Sequence, residues 1–128
     1  MTIHKSSEDY LEAMLMLREQ NGYIRSVDIA SLLGVTKPSV SYATKRLREN
    51  GYITMDADGL IRLTEQGMEI AAQMYERHQV LTRLLVGLGV SPEIAREDAC
   101  KIEHDLSVES FEAIRRHSAS FQTESHAE

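Results

Sequence analysis

The chain has 128 residues, 42% of them hydrophobic and 27% charged, with a formal net charge of −6, a profile expected of one ordinary soluble domain or two small ones. No apolar run approaches the roughly 18 to 20 residues of a membrane span, and the amino terminus MTIHKSSEDY lacks the apolar core of a signal peptide, so the expected compartment is the cytoplasm. A single cysteine, Cys100, excludes an internal disulfide and agrees with a reducing environment.

SSEDYLEAMLMLREQNG opens as a helix, with Ser6 or Ser7 as N-cap, Glu8 and Asp9 in the first turn, Leu11, Met14 and Leu15 on one face, and Gly22 as the stop. SVDIASLLGV reads as a second helix capped by Ser26 and ended by Gly34. VTKPSVSYATKRLRENG reads as a third, with Thr36 as cap, Pro38 in the first turn where its missing N–H costs nothing, and Asn50-Gly51 at the close. Two helices joined by a short turn have the spacing of a helix-turn-helix. Tyr52–Met55 and Leu60–Leu63 are short β-prone runs separated by Asp-Ala-Asp-Gly, a hairpin that would form a wing. Thr64 caps a longer helix, apolar at Met68, Ile70, Ala71, Met74, Leu81, Leu84 and Leu85 and stopped by Gly87 and Gly89. A helix follows in SPEIAREDACKIEHDLS, with Ser91 as cap and Pro92 at its first position, then a last one in SVESFEAIRRHSASF. The expected class is mainly α with a small β-hairpin wing. A winged helix-turn-helix DNA-binding domain (1–64) is followed by a helical metal-binding and dimerisation domain (65–121) and a frayed tail (122–128).

Charge is not spread evenly. Residues 1–64 hold eight basic and eight acidic groups, whereas residues 65–128 hold six and twelve, which accounts for the whole net charge. Inside the neutral half, residues 36–48 carry four basic groups and no acidic one, the local pattern of a DNA-reading face on an acidic protein. Lys37, Pro38, Ser39 and Ser41 near the start of the third helix would enter the major groove, with Tyr42 and Thr44 among its other polar positions. Lys45, Arg46 and Arg48, with Arg62 on the wing, would meet phosphates.

Cys100, Glu103 and His104 would project from one helical face as thiolate, carboxylate and imidazole. They read as a catalytic thiol, as metal donors, or as an ordinary helix with a solvated Glu and His beside a buried Cys. No Gly-rich oxyanion loop or nucleophile elbow accompanies them, which argues against an enzyme. Asp9 and Glu12 share a face of the first helix, where acidic groups also simply favour a helix N-terminus, and His78 lies mid-helix, where a lone histidine is more often structural.

The joint order SEDYLEAM, winged helix-turn-helix, LT..G, ERH and ACKIEH resembles the diphtheria-toxin-repressor family of metal-dependent transcriptional regulators, in particular its short manganese-sensing branch. The likeness covers about residues 5–115. It implies a homodimeric repressor that binds palindromic double-stranded operator DNA when loaded with metal and controls metal-uptake genes, with no membrane and no small-molecule substrate as partner. It also implies that Asp9, Glu12, His78, Glu103 and His104 are metal ligands, with Cys100 at a position usually glutamate in the manganese branch and cysteine in the iron branch. Hard oxygen donors outnumber sulfur, favouring Mn(II), with Fe(II) as the alternative and Zn(II) or Co(II) as ions able to bind in vitro. The rival is a metal-independent winged-helix regulator answering to a small ligand or to oxidation of Cys100.

Overall fold

The computed structural model describes residues 5–126, with side chains as far as Ser118. The chain divides into two compact units, Met1–Tyr75 and Glu76–Glu128. The first contains α1 (Lys5–Asn21), β1 (Ile24–Arg25), α2 (Ser26–Leu33), α3 (Lys37–Glu49), β2 (Ile53–Met55), β3 (Leu60–Leu63) and the beginning of α4 (Glu65–Gly87). The remainder of α4, α5 (Pro92–Ile102) and α6 (Val108–His126) make up the second. The division falls inside α4 because Met68, Ile70 and Tyr75 pack against the core of the first unit. Leu11, Met14 and Leu15 of α1, Ile29 of α2, Val40 and Leu47 of α3, and Ile24, Ile53 and Ile61 of the sheet form that core.

Local chemistry explains most of the element ends. The Thr36 hydroxyl accepts from the Ser39 N–H at 3.2 Å, and Pro38 sits in the first turn of α3. At the other end of α3 the Asn50 side chain donates to the Arg46 carbonyl at 2.9 Å before Gly51 turns the chain at φ 81°. The Asp56 carboxylate accepts from the N–H groups of Asp58 and Leu60, closing the turn between β2 and β3 with Gly59 at positive φ. The Ser107 hydroxyl accepts from the Ser110 N–H and so starts α6.

Four features depart from the sequence reading. The two-residue β1 pairs antiparallel with β3, so the expected hairpin is the larger part of a three-stranded sheet in the order β1-β3-β2. Ser26 is already helical and Arg25 is the N-cap of α2, without a side-chain cap, because the backbone of Arg25 is engaged in the sheet. Lys5 is also helical, which places Ser6 and Ser7 in the first turn of α1. Finally, α6 runs to His126 rather than fraying after Phe121, there being no Gly or Pro to stop it. Residues 127–128 of the expected tail lie outside the described residues.

The wing is joined to α4 by a tight backbone approach. The Thr64 hydroxyl donates to the Gly51 carbonyl at 2.7 Å and accepts from the Gly67 N–H at 3.2 Å, while the Thr64 N–H donates to the Tyr52 carbonyl at 3.0 Å. Directly over that carbonyl lies Gly67, where a Cβ would overlap the Tyr52 oxygen and press on its carbonyl carbon. Both atoms belong to backbone and neither can swing aside. Gly67→Ala is therefore expected to destabilise the protein by about 1–3 kcal/mol, read as a lowered melting temperature. Glu69→Ala, exposed on the same helix, should stay within about 0.5 kcal/mol of wild type.

Candidate functional site

In the second unit a carboxylate is held between two imidazoles. α5 ends at Ile102, and Glu103 caps it with helical backbone angles (φ −60°, ψ −29°), its N–H still donating to the Ala99 carbonyl at 3.0 Å. Glu103 is 0% exposed. Its Oε2 lies 3.2 Å from Nδ1 of His78 on α4, and its Oε1 lies 3.4 Å from Nε2 of His104, accepting no hydrogen bond there. The side chain of His104 is 1% exposed and that of His78 17%. A carboxylate fully removed from water is costly unless its oxygens are compensated. Two imidazoles and one carboxylate are also three good donors for a divalent transition metal.

In the first unit Asp9 and Glu12, three residues apart on α1, bring carboxylate oxygens within 4.8 Å of each other. The sequence reading places both residues off the core, with Leu11 and Leu15 turned inward. Glu12 is instead 5% exposed, because α1 is buried continuously from Tyr10 to Leu15. Burial also pushes the Tyr10 phenol up, keeping it neutral. Two hard oxygen donors on consecutive turns of a buried helix suit Mn(II) or Fe(II) far better than they suit a solvated surface.

Cys100 is exposed on the last turn of α5, whereas Glu103, three residues on, is buried at its C-cap. The expected alternative of a solvated Glu and His beside a buried Cys is thus reversed.

The basic face of the first unit forms as expected. Lys37, Pro38, Ser39, Ser41, Tyr42, Lys45, Arg46 and Arg48 of α3 and Arg62 of β3 are all exposed. Thr44 is the exception, buried with its hydroxyl donating to the Ser41 carbonyl at 3.1 Å. Ser39 is tied to the helix cap by a 2.8 Å hydroxyl contact with Thr36. Tyr42 is 64% exposed and supports Arg46, whose Nη1 donates to the phenol oxygen at 3.2 Å with the guanidinium 5.8 Å from the ring centre. Sequence reasoning missed a comparable pair on the sheet side, Arg25 stacked 5.6 Å over the exposed Tyr23 ring. It also gave no role to Arg77, although an arginine directly before a candidate ligand was visible.

Two family models match the chain. Residues 2–60 match the model of the iron-dependent repressor N-terminal DNA-binding domain, and residues 64–128 match the iron-dependent repressor metal-binding and dimerisation domain. The transcriptional regulator MntR of Escherichia coli O6:H1 is 43% identical over 108 residues, covering 84% of this chain and 70% of that protein. The HTH-type transcriptional regulator MntR of Bacillus subtilis is 36% identical over 109 residues, covering 85% and 77%. Among solved structures, a manganese-dependent transcriptional repressor in complex with manganese superposes with a TM-score of 0.81 at 25% identity, over 88% of this chain and 52% of the other. IdeR of T. acidophilum gives 0.78 at 26%, over 91% and 55%. The chain thus spans about half the length of these two solved proteins.

The exposure of Cys100 has a direct readout. In metal-free native protein it is expected to react with a disulfide reagent such as DTNB to one equivalent per chain. A thiol that stays silent until the protein is denatured would place it among the buried donors.

Proposed function

The chain belongs to the iron-dependent repressor family, and on that premise we propose that it is a manganese-activated repressor whose operator affinity is set by metal bound through both of its units. It is a metal-dependent transcriptional regulator, and a regulator's role is the one carried by its relatives. No helix among the described residues is long and apolar enough to cross a membrane, which fits work on DNA in the cytoplasm.

The observation that carries the reading is the Glu103 carboxylate, fully buried between His78 and His104 in the metal-binding domain. The family resemblance adds Asp9 and Glu12 of the DNA-binding domain as ligands, for a total of three carboxylates and two imidazoles. Such a set fits Mn(II), with Fe(II) as its nearest competitor. The thiol that would favour Fe(II), Zn(II) or Co(II) is Cys100, which is exposed on α5. Bound metal supplies a positive charge that these residues can share.

Metal held by ligands drawn from both domains would restrict how the DNA-binding unit moves against the dimerising one. In a homodimer this restriction fixes the separation of the two α3 helices, as a palindromic operator with half-sites about 34 Å per turn apart demands. The ordering cost of DNA binding falls, and by reciprocity operator DNA tightens metal binding. The second unit offers Val86, Leu88, Ile94, Ile102 and Val108 as exposed apolar side chains for pairing with a second copy. Lys37, Ser39 and Ser41 would face the major groove, with Lys45, Arg46, Arg48 and Arg62 on phosphates. Release of the operator when metal is scarce suits control of a metal-uptake gene.

The test is operator or genomic-fragment binding by purified protein, titrated anaerobically with Mn(II), Fe(II), Zn(II) or chelator. Tight binding is expected only with metal, Mn(II) acting at lower free concentration than Fe(II). Glu12→Ala and His104→Ala are expected to lose this metal response while remaining dimeric. Equal binding in chelator by wild type overturns the reading and leaves a winged-helix regulator with another signal. Separately, Lys45→Ala and Arg46→Ala should weaken binding to every sequence and each lower the slope of log affinity against log salt by about 1.

A further inference from the structure

The geometry points to Arg77 as a positioning residue for the metal donors of the second unit, an inference that rests on Glu103 and His104 being ligands. Arg77 precedes His78 on α4, and its Nη1 donates to two backbone carbonyls, that of Glu103 at 2.9 Å and that of Leu106 at 2.7 Å. That nitrogen carries two protons, and both are used. The guanidinium lies 5.1 Å from the centre of the Phe111 ring, itself buried in the first turns of α6. One side chain therefore ties α4 to the turn that carries Glu103 and His104, and to the helix that follows it.

Glu103 is consequently held at both ends by consecutive residues of α4. Arg77 holds its carbonyl and His78 meets its carboxylate. The Glu103 carbonyl lies at the C-cap of α5, where a cation is favoured by the helix dipole as well as by the hydrogen bond, and the Leu106 carbonyl lies in the connection beyond it. With the main chain pinned, the Glu103 carboxylate and the neighbouring imidazole of His104 have few orientations left, which is how supporting residues raise metal affinity without touching the ion. Lysine is a poorer fit: its ammonium has protons enough for both carbonyls, but its side chain ends one atom short of the Nη1 position and lacks the guanidinium plane that Arg77 brings near the Phe111 ring.

The experiment uses the full chain, metal-free, as wild type, Arg77→Lys, Arg77→Met and Glu103→Gln, each titrated with Co(II) and Mn(II) below its own melting temperature. The readouts are the Co(II) ligand-field spectrum, the free Mn(II) signal in electron paramagnetic resonance, and the melting curve of the metal-free protein. Both Arg77 variants are expected to bind about 10–100-fold more weakly than wild type with a shifted Co(II) spectrum, and Glu103→Gln to fail to develop that spectrum. Arg77→Lys carries the test if Arg77→Met does not fold. If Arg77→Lys melts lower yet binds with wild-type affinity and an unchanged spectrum, Arg77 only stabilises the fold and the proposal is overturned. If Glu103→Gln also binds like wild type, the ligand assignment falls first and the positioning role falls with it.

Discussion

The second unit is organised around a carboxylate that has no access to water. Glu103 is buried at the point where α5 stops, and each of its polar groups must find a partner within the protein. Its N–H is used by the last turn of α5, its carbonyl by Arg77, and its Oε2 by His78, while Oε1 faces His104 without a hydrogen bond. Two helices, α4 and α5, and the turn that follows α5 are committed to one residue. Structural stability alone is a poor reason for such a group, since an apolar side chain of similar volume would fill the space without the desolvation cost. A divalent cation held by Glu103, as proposed above, would make the burial favourable.

The first unit solves a different problem, that of presenting a rigid reading head on a small core. α3 is held at its start by the Thr36 hydroxyl and at its end by the Asn50 amide, so its exposed side chains project from a helix with little freedom to fray. Its buried residues, Val40, Thr44 and Leu47, face the core shared by α1 and the sheet. The Thr64 and Gly67 contacts with Gly51 and Tyr52 then lock the strand pair to α4, the helix that carries His78 further along. α4 carries no glycine or proline between Met68 and Val86.

What the sequence disclosed follows the range of each interaction. Thr36, Pro38, Asp58-Gly59 and Thr64 act on groups a few residues away, so caps and the β2–β3 turn were legible from residue type and spacing. The pairing of β1 with β3 was not, because two residues show no alternation and their partners lie in Leu60 and Ile61. The ligand-type residues were visible as pairs, yet the burial of Glu12 was hidden, since helical periodicity gives it the same solvent-facing chance as Asp9. The contrast between an exposed Cys100 and a buried Glu103 was hidden too, because helical periodicity puts positions three apart on one face without saying which of them meets the core. Arg77 shows the limit most clearly, because both of its acceptors are main-chain carbonyls, 26 and 29 residues away. A carbonyl has no residue type by which a sequence can announce it.

The exposed basic stripe of α3 on a chain of net charge −6 has a consequence for how such a protein finds its target. Away from that stripe the molecule repels DNA, so a collision in the wrong orientation is short-lived and sliding contacts with random sequence are weakly held. A chromosome offers on the order of 10⁶ or more competing sites, and a protein uniformly rich in lysine would be largely stored on them. A basic stripe on one helix of an acidic chain, in place of net positive charge over the whole surface, would leave most copies in free solution rather than stored on random sequence.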